Sequence, residues 1–173
     1  DLIYAGAQKN MGPAGTTLVV IKEDILGKVS RDIPSMLDYR VHIEKESMFN
    51  TPAVFPVYVS MLTLEWLKDL GGIPAIEKIN RAKARLLYSE IDINPLFKGF
   101  VTNEKDRSKM NATFNLKDDA LKVSFDAMCK EAGINGLNGH RSVGGYRASM
   151  YNAMPLESVG VLVDVMSELE RKA

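Results

Sequence analysis

One cysteine, one tryptophan and two histidines are all that 173 residues hold of these types, and neither sign of charge is in excess. A single cysteine, Cys129, can neither close an internal disulfide nor build a cysteine-cluster metal site. The two histidines, His42 and His140, have no ligand spacing between them, so no metal site is expected. Basic and acidic residues number 22 each, for a formal net charge of zero. That balance leaves no basic stripe for nucleic acid and no polybasic patch for a membrane surface. It suits a protein that associates with copies of itself. No basic stretch precedes the apolar N-terminal run, so no signal peptide is read there. The longest apolar stretch, TPAVFPVYVSMLTLEWL, is short for a membrane span and is interrupted by Pro52, Pro56, Ser60, Thr63 and Glu65. A buried or interface helix is expected there. Sparse cysteine points to a cytoplasmic setting, and the helical spacing of Cys129 from Phe125 makes it a core residue rather than a nucleophile.

What is present reads as a mixed α/β chain. LIYA and TTLVVI are β-favouring runs around the turn GAQKNMGPAG. A short helical turn follows, closed by Gly27, and residues 28–51 read as a long irregular connection, a length that tends to carry function. Two helices are expected, from Pro52 to Leu70 and from Pro74 to about Ser89, the second with Ile76, Ile79, Ala82 and Leu86 on one face. EIDINPLFKGF reads as a boundary. Beyond it lie strand-like FKGFVT and MNATFNL, then a helix over residues 117–132 closed by Gly133. INGLNGHRSVGGYRASMYNAMP reads as a glycine-rich hairpin of two strands turning near Gly144 and Gly145. A last helix starts at Pro155 with Leu156, Val159, Val163 and Met166 roughly on one face. Two parts are therefore expected, residues 1–91 and residues 92–173. The first supplies one β-pair, a long loop and helices, too little sheet to bury its own faces, so the chain is expected to be the C-terminal part of something longer.

Three stretches carry chemistry. Lys9 follows an apolar strand, between small residues and a Gly/Pro turn. A nucleophilic lysine needs low solvation and small neighbours that leave room for an aldehyde, although a strand-end lysine is also an ordinary solvated charge. In GHRSVGGYR, His140, Arg141 and Arg147 lie close together with little bulk between them. Arginine forks bind carboxylate or phosphate, so the cluster suits a small molecule anionic at two ends. The alternative is a solvated turn with salt-bridging arginines. In SMFNTP, the polar Ser47, Asn50 and Thr51 precede a helix. They read either as a plain N-cap or as side-chain donors added to a helix terminus at an anion site. His42 reads as a loop histidine.

The stretches YAGAQKNMGPAG, IPSMLDYRVH, SMFNTPAVFPVYV and NGHRSVGGYRASMYNAMP resemble the phosphoserine aminotransferases, in order and over nearly the whole chain. YAGAQKN followed by Gly-Pro-x-Gly also resembles the lysine signature of the wider class V aminotransferases. The resemblance implies the PLP-dependent transferase fold type I (aspartate aminotransferase-like): residues 1–91 as the end of the large domain with a linking helix, and residues 92–173 as the small C-terminal α/β domain. It implies a homodimer using pyridoxal 5'-phosphate to exchange an amino group between glutamate and 3-phosphohydroxypyruvate in serine biosynthesis. Some bacterial members also serve pyridoxine synthesis.

Carried over by motif, it implies that Lys9 holds the cofactor covalently and moves the proton at the substrate α-carbon, with Gln8 beside the cofactor phosphate. Asn50 and Thr51 reach the cofactor phosphate of the partner subunit. Arg147 takes the substrate α-carboxylate, and His140 and Arg141 the distal anion. The family's ring-stacking aromatic, the carboxylate for the ring nitrogen and an N-terminal His and Arg have no counterpart here, so this chain alone is expected to be inactive. Two other expectations stand beside this one: a folded module without catalysis, and another class V enzyme such as an alanine– or serine–glyoxylate aminotransferase, whose substrates lack the distal phosphate.

Overall fold

The computed structural model describes all 173 residues as five strands and five α-helices with short 3-10 turns between them. It divides into two compact units, Asp1–Asp69 and Leu70–Ala173.

In the first unit, β1 (Leu2–Gly6) and β2 (Thr17–Ile21) pair antiparallel, from Leu2 opposite Ile21 to Gly6 opposite Thr17. The long connection is less irregular than expected. It contains a helix, α1 (Tyr39–Glu44), because Asp38 caps it by accepting the Arg40 N–H at 3.0 Å. The next helix, α2 (Val54–Asp69), is apolar around its whole circumference. Only Ala7 and Ser60 are buried in this unit, while Tyr4 and Phe55 are 73% and 70% exposed. A helix apolar on every side, and a hairpin with Ile3 and Tyr4 outside, belong against other polypeptide.

The second unit has a core of its own. Its first helix, α3 (Gly72–Ile93), has Gly71 as its N-cap and Gly72 as its first residue, both in the left-handed region at φ 108° and 70°. It is longer than the expected Pro74–Ser89 because its buried face continues: Ile76, Asn80, Lys83, Ala84, Leu87 and Ile91 recur every three or four residues. Asn94 then stops it. The Asn94 side chain donates to Glu90 Oε1 and to the Met166 carbonyl, and accepts from Leu96 N–H, with Pro95 following. Since α3 contributes Ala84, Leu87 and Ile91 to the same core as the sheet, the units part at residues 69/70, not at the expected 91/92.

A three-stranded antiparallel sheet in the order β3 (Phe97–Gly99), β4 (Asn111–Leu116), β5 (Tyr146–Ser149) lies against α3, α4 (Lys122–Glu131) and α5 (Leu156–Lys172). Strand alternation sends Ala112, Phe114 and Leu116 from β4, with Tyr146 and Ala148 from β5, into the core. There Phe114 stacks on Tyr146 at 5.4 Å between centroids, and Phe97 and Phe125 meet them edge-on. The glycine-rich segment before β5 is not the expected hairpin of two strands. It holds only the isolated bridge Asn138–Tyr146, and β5 takes β4 as its strand partner, Thr113 opposite Arg147. The helix expected from residue 117 starts at Lys122, after a 3-10 turn capped by Asp118. In α5 the buried face is Val159, Leu162, Val165, Met166 and Leu169. Leu156 is exposed and Val163 half-buried.

Cys129 is a core residue, as its spacing suggests. Burial, with Asp126 nearby, pushes its thiol from 9.0 up to about 11. A raised folded-state pKa means this group's stabilisation is complete below about pH 9 and is lost as pH rises through about 11. Urea unfolding across that window is expected to show stability falling, with a shallower fall in Cys129→Ala. The native thiol is expected to resist alkylation at neutral pH and to react on unfolding.

Candidate active site

Lys9 sits in the loop that joins β1 to β2, and the loop is tightly tied. Ala7 N–H donates to Thr16 O at 2.9 Å, Met11 N–H to Ala7 O at 2.9 Å and Lys9 N–H to Gly12 O at 2.7 Å. This places Lys9 at φ 77°, a left-handed conformation that a non-glycine residue holds only when its surroundings impose it. The turn lies flat on α2 within the same unit. A Cβ on Gly12 would strike Ser60, and one on Gly15 would stand 2.8 Å from Pro56 Cγ. Gln8 and Lys9 are both exposed. The low solvation that a nucleophilic lysine needs is therefore not supplied by the hairpin itself.

Asn50 and Thr51 are exposed and lie ahead of α2, whose first residue is Val54, so neither is its N-cap. The N–H of Val57 already reaches the Ala53 carbonyl at 3.2 Å. Asn50 Nδ2 donates to Thr51 O at 3.1 Å. The chain reaches them through Glu46 and Ser47, consecutive residues at φ 50° and 66°, a second left-handed turn without glycine. His42, read as a loop histidine, is on α1. Its Nε2 lies 3.0 Å from Met36 O and its ring meets Phe49 edge-on at 5.8 Å.

The second unit carries the other three residues. The His140 carbonyl accepts from Val143 N–H and Gly144 N–H, closing a tight turn, while Gly139 N–H donates to Gly145 O and Arg147 N–H to Leu137 O at 2.7 Å. These bonds hold the turn bearing His140 and Arg141 alongside the start of β5, which bears Arg147. Ser142 has no role in the motif reading, yet it touches the histidine. Its Oγ lies 2.7 Å from His140 Nδ1 and its N–H donates to the same nitrogen at 3.3 Å. With Nδ1 accepting, the neutral ring carries its hydrogen on Nε2, the nitrogen left for a ligand. The signal was in the motif: a Ser two residues after a His can fold back on the ring.

Arg141 is exposed. Arg147 is half-buried, and its Nε is enclosed without a hydrogen-bond partner. Next to it, Tyr146 donates to Asp126 Oδ1 at 2.8 Å, and burial followed by that carboxylate pushes the phenol well above its usual range. Tyr146 is therefore a neutral donor under ordinary conditions, and the cationic groups here are the guanidiniums of Arg141 and Arg147, with the His140 ring on the adjoining turn. Within the first unit the structure brings Lys9 and Gln8 onto one turn. Within the second it brings His140, Arg141 and Arg147 onto one connection.

Gly12→Ala tests the turn. The added methyl meets Ser60, so the substitution is expected to destabilise the β1–β2 loop by about 1–3 kcal/mol. Faster amide exchange at Lys9 and Met11 would register it.

The family model for the class V aminotransferases matches residues 1–162. A phosphoserine aminotransferase of Flavobacterium psychrophilum is 72% identical over 172 residues, covering 99% of this chain and 48% of that protein. Among solved structures, one of the Schiff base in phosphoserine aminotransferase superposes at a TM-score of 0.92 with 46% identity, covering 99% of this chain and 48% of that one. Another, from Bacillus circulans subsp. alkalophilus, gives a TM-score of 0.92 with 41% identity over 99% and 47%. The chain spans about half the length of the curated relatives it matches. Its mixed α/β architecture is that of a fold type I transferase. By the match over residues 1–162, this chain belongs to the class V aminotransferases.

Proposed function

We propose that the chain is the C-terminal half of a phosphoserine aminotransferase. It would transfer an amino group between glutamate and 3-phosphohydroxypyruvate, with pyridoxal phosphate as cofactor, in a homodimer. The observation that carries this reading is Lys9, a primary amine fixed in the left-handed region at the head of a glycine turn. Backbone held in that region without glycine stores strain, and such strain collects where side-chain direction matters. The residues present fit a phosphate-bearing aldehyde: Lys9 and Gln8 are exposed side by side on the turn, and Asn50 and Thr51 offer an amide and a hydroxyl, also exposed.

When bound, the cofactor supplies the electron sink that lets a bond at the substrate α-carbon break. The chain's own residues do the rest. Lys9 would hold the cofactor's aldehyde carbon and would move the proton at the substrate α-carbon, a task for an amine rather than an ammonium. Gln8, with Asn50 and Thr51 of a partner subunit, would donate to the cofactor phosphate. Arg147 presents its guanidinium to the α-carboxylate, and the turn bearing His140 and Arg141 takes the distal phosphate or γ-carboxylate. Both substrates are anionic at two ends, and the short hydrogen-bonded connection from His140 to Arg147 matches that pattern. The relatives' name favours a phosphorylated substrate over the glyoxylate enzymes, and the His140–Arg141 pair supplies a place for the phosphate. The apolar α2 and the exposed face of β1 support a partner subunit and the remaining half of a large domain as the polypeptide that covers them.

Adding pyridoxal phosphate to the protein, reducing with borohydride and mapping the labelled lysine tests this. Saturable label at Lys9, absent in Lys9→Ala, is expected. Label spread over surface lysines without preference for Lys9 would count against an assembled cofactor site in this chain.

A further inference from the structure

Lys83 is a charged residue in the middle of α3 with none of its surface exposed. It forms no ion pair. Its Nζ donates instead to three main-chain carbonyls: Tyr151 at 2.8 Å, Met154 at 3.1 Å and Met150 at 3.4 Å. An ammonium has three hydrogens, so the carbonyls match its donors one for one. Burying an ammonium without a counter-ion is costly, and burial pushes the Lys83 amine below its ordinary range. A side chain kept at such cost in the face of a core helix is there for what it holds.

It holds the segment that leaves β5. Met150 is the residue after the strand, and Tyr151 to Met154 form the turn into α5. A second side chain of α3, Asn80, donates to Asn152 Oδ1 at 2.9 Å in the same turn. The helix is a firm base, since Ala84, Leu87 and Ile91 lock it to the sheet. Arg147 lies three residues upstream of Met150, and its Nε has no hydrogen-bond partner. The enclosed part of the Arg147 side chain is therefore not tied by its own bonds, and its place is set by the strand. Leu137 pins the strand at Arg147 itself, where its carbonyl accepts the Arg147 N–H, and Lys83 pins the exit. Met150 and Met154, whose carbonyls take the ammonium, also line a cavity of about 110 Å³ together with Arg147.

We propose that Lys83 is a positioning residue for Arg147. By drawing the carbonyls of Met150, Tyr151 and Met154 onto α3, its buried ammonium fixes the end of β5 and the cavity wall beside the guanidinium. The inference rests on the reading of Arg147 as the group that takes the substrate α-carboxylate.

The test uses the full chain labelled with ¹⁵N. Lys83→Met keeps the volume and removes the donors. Lys83→Ala leaves a hole shaped for n-propylammonium. In both, amide exchange over residues 150–154 is expected to rise by at least about tenfold, and the Arg147 Nε–H resonance, assigned by its loss in Arg147→Lys, to shift or broaden. The aromatic resonances of Phe97 and Phe125 are expected to stay in place. n-Propylammonium, and not 1-propanol, is expected to restore the Lys83→Ala spectrum. An Arg147 resonance unmoved while the turn exchanges faster would overturn the proposal and leave Lys83 as a stabiliser of the turn alone. Equal rescue by 1-propanol would overturn the role of the charge. If neither variant folds, Asn80→Ala loosens the same turn with Lys83 in place. It is expected to move the Arg147 signal in the same direction by less, and no movement would overturn the proposal. None of these signals needs cofactor or substrate, so failure to label Lys9 and failure of this inference are read separately.

Discussion

The β4–β5 ladder is the constraint on which the second unit depends. Once Phe114 pairs with Tyr146 and Ala112 with Ala148, the two-residue period of a strand leaves no freedom for what lies between. Tyr146 and Ala148 must face the helices, because Phe114, Phe97 and Phe125 bury against them, and Arg147 is then turned to the opposite face. A shift of one residue would bury a guanidinium in an aromatic cluster and expel a tyrosine. The core thus specifies the direction of the Arg147 side chain, which lies outside it. The glycine-rich connection before β5 adds the complementary constraint. It is too irregular to be a strand, yet its main-chain bonds at Leu137 and Gly139 hold His140 and Arg141 within one short loop of Arg147.

The first unit is organised by the opposite logic. It buries almost nothing, so hydrophobic burial cannot be what sets Lys9 in place. Local hydrogen bonds do so instead, with the close approach of Gly12 to Ser60 and of Gly15 to Pro56. A left-handed lysine is unfavourable by itself, and only a network that leaves the backbone no alternative keeps it there. The same unit exposes Phe55, Tyr4 and much of the apolar surface of α2, including Val54, Tyr58, Leu62 and Trp66. A short hairpin and one apolar helix cannot shield each other completely, which leaves these faces open to water.

Much of this was legible in the sequence, for reasons that differ by element. The β1–β2 hairpin was visible because β-branched runs flank a Gly/Pro turn. α5 was visible because proline opens it and apolar residues recur at helical spacing. The glycine-rich stretch misled, because glycines around a turn look like a hairpin whichever strands they join. Register is decided by the distant β4, which no local signal reports. The boundary near residue 91 failed for a related reason. A polar, proline-containing stretch marks the end of a helix, and only long-range packing tells which unit that helix serves. The site motifs were legible as residue types, whereas their geometry was not: nothing in QKN announces a left-handed lysine, and nothing in HRS announces that the serine holds the ring.

Lys83 shows where reading by periodicity stops. In EKINRAKARLL it is one of four basic residues in eight, and residue type alone does not separate it from Lys78, Arg81 or Arg85, which are exposed. Position 83 lies seven residues after Ile76 and four before Leu87, on the buried stripe of α3. A charge on an apolar stripe is the local conflict that marks either a misassigned face or a function, since a folded chain tolerates it only with every donor satisfied. Here the acceptors are carbonyls from a turn roughly seventy residues away, which no window on the sequence could supply. The physical order is therefore the reverse of the order of reading. The core fixes α3, α3 presents the ammonium, the ammonium gathers the carbonyls, and the strand that ends there carries the arginine.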